Sequence, residues 1–284
     1  MDKANQTVTN NLIYIDFCLM FRGHIGVEDI QQEFDLEASH ATQLLDVYTQ
    51  EWPGNLEFEE NSKRFFQTKA FNPAFEHQGR EILNRLTSKS NLIERPESVY
   101  PVQGTSYINV PDLNVLARLV QAMLNGNVVN IIYTSLSSGS SSREIVPHQI
   151  LDNGLRWHVR AYDRKSESFR DFVLTRISKV TVKSNRVFQH ELADVDWQWQ
   201  KEITLILKPH PVNVVQPTAI EMDYGMLDGE KRIVTRAAIA GYLLRRWNVD
   251  ISAEAKLKDH AHQLWLSNRH QLNDVESLIF APGF

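Results

Sequence analysis

GLRWHVRAYDRKSESFRDFVLTRI, Gly154 to Ile177, carries five arginines (156, 160, 164, 170 and 176), Lys165 and His158 among strand-forming residues. Read as a strand, Arg156 to Tyr162 alternates strictly. Trp157, Val159 and Ala161 share one side; Arg156, His158, Arg160 and Tyr162 share the other. The first set is a core face. The second is a row of cations in a chain whose net charge is -5, so something must lie against it.

The strand pattern extends both ways. VVNIIYT, REIVPHQIL, RWHVRAY, RDFVLTRI and KVTVKS are short runs separated by Gly, Ser, Asp and Asn. That spacing predicts a small barrel or strongly curved sheet. SLSSGSSS, residues 135–142, reads as a flexible loop. Upstream, Pro111 opens an amphipathic helix with Leu113, Leu116, Leu119, Val120, Met123 and Leu124, closed by Gly126. Residues 96–107 read as a polar linker.

The N-terminal part reads as helices. Residues 12–21 carry a broad apolar stripe; a short helix follows with Val27, Ile30 and Phe34. After a tight connection, Ala41, Leu44, Leu45, Tyr48 and Trp52 mark a third. Three helices with a short turn before the last outline a helix-turn-helix. Residues 56–71 then read as two strands around Glu60-Asn61-Ser62, the wing of a winged helix. Pro73 to Leu86 looks helical again. Beyond Lys201, strands KEITLILKP and KRIVTRA frame a short helix at 218–222, with helices expected at 238–247 and 253–266.

With 284 residues, 42% hydrophobic and 23% charged, the chain reads as a multidomain globular protein. No apolar run approaches a membrane span, and residues 1–11 lack a signal-peptide core; a cytoplasmic protein without membrane contact is expected. Cys18, the single cysteine, excludes an internal disulfide and reads as a buried thiol. The ten histidines show no HExxH or other metal-ligand spacing. His260 and His262 are expected on a surface helix. No catalytic residue, cofactor or metal is expected, and the chain does not read as an enzyme.

Removing the apolar face of the third helix leaves Ser39, His40, Thr42 and Gln43 at its N-terminal half, small polar groups suited to base edges in a major groove. Lys63 and Arg64 at the wing tip are placed for phosphate or minor groove. Against this, residues 1–95 carry nine Lys/Arg and fifteen Asp/Glu, a net of -6, where most DNA-binding domains are basic. In residues 143–186 ten Lys/Arg face five acids, Glu144, Asp152, Asp163, Glu167 and Asp171. Guanidinium groups near Tyr133, Trp157 and Tyr162 fit a phosphate or nucleotide pocket; cross-strand acids pairing with them is the plainer alternative.

The series Ile132-Tyr133, Arg143 to His148, Arg156 to Asp163 and Phe172 to Ile177 resembles a WYL domain, its signature standing here as Trp157-His158-Val159. The whole layout resembles the BrxR/CapW regulators of bacterial phage-defence islands. The resemblance implies an α+β multidomain fold: a winged helix-turn-helix (1–95), a linker and connecting helix (96–127), a WYL domain with an Sm-like small β-barrel (128–195), and a C-terminal α/β extension (196–284) for dimerisation. It implies a homodimeric repressor of a defence operon on a palindromic duplex operator. A nucleotide or single-stranded effector would bind at Tyr133, Arg143, His148, Trp157, His158, Arg160 and Arg176. On that reading Arg160→Ala silences the effector response and spares operator binding. The alternative is a single-strand-binding accessory protein with the WYL barrel as its main surface.

Overall fold

Helices α1 (Lys3–Arg22), α2 (Val27–Phe34) and α3 (Ala38–Glu51) enclose an apolar core of Ile15, Leu19, Phe21, Ile30, Leu45 and Tyr48. A computed structural model describes residues 3–77 and 109–284. Strand β1 (His24–Ile25) pairs antiparallel with β3 (Arg64–Gln67), which pairs antiparallel with β2 (Leu56–Glu59), giving the order β1-β3-β2. This is the winged helix the sequence predicts. The expected helix from Pro73 is not present over Pro73–His77; its remainder and the linker lie outside the described residues.

Helix α4 (Leu113–Leu124) is capped by Asp112, whose Oδ1 accepts from the Asn114 and Val115 amides at 2.8 and 3.1 Å. The cap is therefore Asp112, one residue beyond the expected Pro111, because a carboxylate satisfies amides that a helix start leaves unpaired. Gln121 of α4 donates to Met20 O at 2.6 Å and to Gln67 Oε1 at 3.2 Å, fastening α4 to α1 and the wing's inner strand.

Five strands follow, β4 (Val128–Ser135), β5 (Gly139–Asp152), β6 (Trp157–Asp163), β7 (Ser168–Val173) and β8 (Ile177–Lys183), in the order β7-β6-β5-β4-β8. The expected loop at 135–142 is a hairpin instead: Ser135 pairs with Gly139 and Tyr133 with Ser141. Gly139, at φ 69, supplies the turn conformation that most residues resist. The run RDFVLTRI is also divided, β7 ending at Val173 and a 3₁₀ turn spanning Leu174–Arg176.

The C-terminal sheet has the order β10-β9-β12-β11, from β9 (Glu202–Pro209), β10 (Lys231–Arg236), β11 (Val249–Asp250) and β12 (Leu264–Leu266). Three further helices belong to this part, α5 (Trp197–Gln200), α6 (Pro217–Tyr224) and α7 (Ala237–Arg246). Leu205, Leu207, Leu244, Leu264, Leu266 and Leu278 form its core. The helix expected over 253–266 is absent. Asp250 accepts from the Ser252 and Leu257 amides at 2.7 and 3.1 Å, winding that segment into turns, and Leu264–Leu266 joins the sheet beside β9. His260 is thus in a turn and His262 in irregular chain just after it, neither on a helix.

Two compact units emerge, residues 1–147 with 174–185, and residues 148–173 with 186–284. Among the described residues no helix is long and apolar enough to cross a membrane, and no cluster of His, Cys, Asp and Glu could hold a metal. Cys18 is fully buried, and burial pushes its thiol up to about 12.

Candidate nucleic-acid interface

Three residues, Asp35 to Glu37, separate α2 from α3, with Asp35 left-handed at φ 53 and its amide bonded to Gln31 O. Helix α3 buries Ala41, Leu44, Leu45 and Tyr48, and Ser39, His40, Thr42 and Gln43 are all exposed. The Thr42 hydroxyl donates to Ala38 O at 2.9 Å.

The orientation of α3 is set by a buried polar network that the sequence reading missed. The Tyr48 hydroxyl donates to the Asp16 carboxylate, which also accepts the Ala74 amide at 3.0 Å and lies 2.6 Å from His77 Nε2. Asn55 Nδ2 donates to Tyr48 Oη at 3.1 Å and to Asn72 O at 2.9 Å. Burial and the neighbouring Asp16 carboxylate raise the Tyr48 hydroxyl's pKa, so it stays a donor. The one early signal is Asp16 itself, an acid inside an otherwise apolar helical stripe.

The two wing cations have different surroundings. Lys63 is exposed in the turn at φ 56. Arg64 is half-buried, with Nη2 donating to Glu28 at 2.6 Å and Nη1 to Asp29 at 3.1 Å, so its charge clamps β3 onto α2.

The seven expected effector residues fall in both units. Tyr133, Arg143 and Arg176 lie in the first, His148, Trp157, His158 and Arg160 in the second. Arg143 is half-buried with Nε donating to Ser141 at 3.2 Å, and Arg176 closes the 3₁₀ turn. His148 and Arg160 meet on one carboxylate. Asp196 accepts Arg160 Nε at 2.6 Å and Nη2 at 2.9 Å, a bidentate pair, and lies 3.1 Å from His148 Nε2. Asp171, directly across the β6–β7 pair, accepts Arg160 Nη1 at 3.0 Å and the Tyr242 hydroxyl at 2.9 Å.

Strand β6 is buried along its whole length. Its cation side is covered by the chain itself: Tyr242 packs on His158 at 5.3 Å, Asp196 pairs with Arg160, and His190 packs on Tyr162 at 5.4 Å. Arg164, just past the strand, is likewise held by Glu191 at 2.6 and 2.9 Å. Burial would raise the pKa of Asp196, but hydrogen bonds from His148 and Arg160, and the guanidinium charge, hold it down at about 2. The sequence signal for Asp196 is local: it caps α5, accepting the Trp199 amide at 3.2 Å.

Comparison with known proteins agrees with this layout. Residues 7–88 match the winged helix-turn-helix domain of the BrxR transcriptional regulator, 114–182 the WYL domain, and 202–272 the BrxR C-terminal dimerization domain. The DNA-binding transcriptional repressor CapW of Escherichia coli strain KTE188 is 30% identical over 270 residues, 92% of this chain and 89% of that protein. The chain belongs to the BrxR/CapW family. CapW repressors of Pseudomonas aeruginosa and Stenotrophomonas maltophilia are each 28% identical, over 93% and 92% of this chain and 90% and 89% of theirs. The matched domains are those of a transcriptional regulator and the relatives are transcriptional repressors, so the chain falls with regulators rather than enzymes.

Proposed function

We propose that this BrxR/CapW member is a dimeric DNA-binding transcriptional repressor acting on a palindromic operator upstream of a phage-defence operon. The observation that carries the reading is the face of α3: Ser39, His40, Thr42 and Gln43 stand exposed on a helix whose orientation is fixed from behind by Tyr48 and Asp16. A rigid helix with exposed small polar groups in its first turns is what base-edge readout requires. The relatives' names support repression, and the match to a dimerization domain supports the dimer.

An effector carrying phosphate, a nucleotide or a single strand, acts on the central domain, at a place other than the buried Arg160, whose guanidinium the chain's own carboxylates already match. It shifts repression only by its differential affinity for the operator-competent state.

Fluorescence anisotropy with duplex from the chain's own upstream region, a scrambled duplex and an equal-length single strand, each at two salt concentrations, tests this. Tighter binding to the upstream duplex than to the scrambled duplex or the single strand is expected. Gln43→Ala weakens it by about 1–3 kcal/mol, the cost of one lost base contact, and leaves thermal unfolding unchanged. The acidity of residues 1–95 favours the competing single-strand-binding reading; preference for the single strand in this assay would establish it.

A further inference from the structure

Two adjoining clefts flank α4 within the first unit. One, of about 500 Å³, lies between the start of α4 and β8 and includes Asp112, Arg118, Ser178, Lys179 and Thr181 in its wall. The other, of about 460 Å³, lies between α4 and the base of the wing and includes Met20, Lys69, Phe71, Pro73 and Gln121. Asn114 and Arg118 line both, so the clefts form one groove with Arg118 at its middle.

The charge along this groove is unspent. Arg118, Lys179 and Lys69 are exposed, and among the described residues none of their side chains has an ion pair or hydrogen bond. Asp112, the one carboxylate among the described lining residues, is engaged by the amides of its own helix. Arg160 and Arg164 are already matched by the chain's own carboxylates. Cations spread along a groove suit a chain of anions better than a single one. The wall at Phe71, Pro73, Met20 and Val182 offers apolar surface for bases between the phosphates.

We infer that this groove is a binding site for the phosphodiester backbone of a short single strand, with Arg118 and Lys179 each contacting a phosphate. The inference stands apart from the repressor reading and needs no operator. It places a ligand against the winged helix, the connecting helix α4 and strand β8 at once.

The test uses the full chain and fluorescein-labelled, 5′-phosphorylated tetrathymidylate, followed by anisotropy at several salt concentrations. Arg118→Ala/Lys179→Ala removes two exposed charges, and thermal unfolding confirms that the variant folds. Binding is expected to weaken by roughly tenfold or more. The slope of log K against log salt becomes shallower by about 1.4, at ~0.7 per phosphate contact on a single strand. Affinity for the upstream duplex stays within about threefold. Three results would overturn the site: no binding by the unmodified chain, equal binding by the variant, or an equal loss of duplex affinity. The last assigns these cations to duplex DNA and leaves the repressor reading intact. Conversely, a chain that ignores the upstream duplex yet shows the expected single-strand loss keeps the groove and removes the repressor.

Discussion

Arg160 is 6% exposed, and three of its nitrogens donate to two carboxylates. Truncation takes the guanidinium charge from both Asp196 and Asp171 and leaves them only His148, the Trp199 amide and the Tyr242 hydroxyl as partners, the costly way to break a buried ion pair. Arg160→Ala is therefore expected to lose about 3–5 kcal/mol in urea unfolding, which would weaken operator binding through the fold and cannot isolate an effector response. Asp196 adds a pH signature. Its folded pKa, about 2, lies below its ordinary value, so its stabilisation is present above that ordinary value and is lost as pH falls toward 2. Stability of the unmodified chain should fall over that acid window; in Asp196→Asn this part of the decline disappears, leaving a less stable but flatter curve. The alternation of β6 was legible in the sequence; the cover over its second face was not. Asp171 lies on the neighbouring strand, 11 residues from Arg160, but Asp196 lies 36 residues from Arg160 in sequence, and spacing has no reach at that distance.

Elements were legible where one period ran uninterrupted. The stripe of α3 and the two strands of the wing follow from Ala41 to Tyr48 and from Leu56 to Gln67 because one face is apolar and the other wet. Residues 253–266 misled for a physical reason: their Ala, Leu and Lys favour a helix, yet Asp250 captures the Ser252 amide just before the segment and the Leu257 amide within it, and β9 recruits Leu264–Leu266 as a strand, so tertiary bonds override propensity. Helix α7 shows the opposite case, a helix whose packing depends on one missing atom. The Ser277 hydroxyl donates to Ala237 O at 2.5 Å and accepts from the Gly241 amide at 3.0 Å, standing inside the helix's own ladder. A Cβ on Gly241 would lie 1.7 Å from Ser277 O. Gly241→Ala gains helix propensity worth about 1 kcal/mol, but forces α7 away from the 3₁₀ turn Glu276–Phe280. The clash is with backbone, so the loss wins: a net destabilisation of about 1–3 kcal/mol is expected by differential scanning calorimetry. An unchanged or raised melting temperature would show that the two segments separate freely.

At the scale of the whole molecule, charge sets the problem that dimerisation answers. The winged helix region is acidic, Arg64 is neutralised by Glu28 and Asp29, and Lys63 is the wing cation left exposed. Such a domain makes few phosphate contacts, and each contact supplies both affinity and salt dependence, so one copy alone holds duplex weakly. Two copies joined through the C-terminal domain change this, because binding of the second half-site becomes intramolecular. A palindromic operator is then expected to bind at least about 100-fold tighter than a duplex carrying one half-site. The gain depends on geometry, since half-sites must present the same face of the duplex about one turn apart or a multiple of it. Inserting five base pairs at the centre turns one half-site to the opposite face and should reduce affinity to that of the single half-site, with each half-site sequence intact. Anisotropy titrations of the three duplexes at one salt concentration measure this. Equal affinity for all three would mean that each winged helix binds alone, and the acidic domain would then need another source of positive charge.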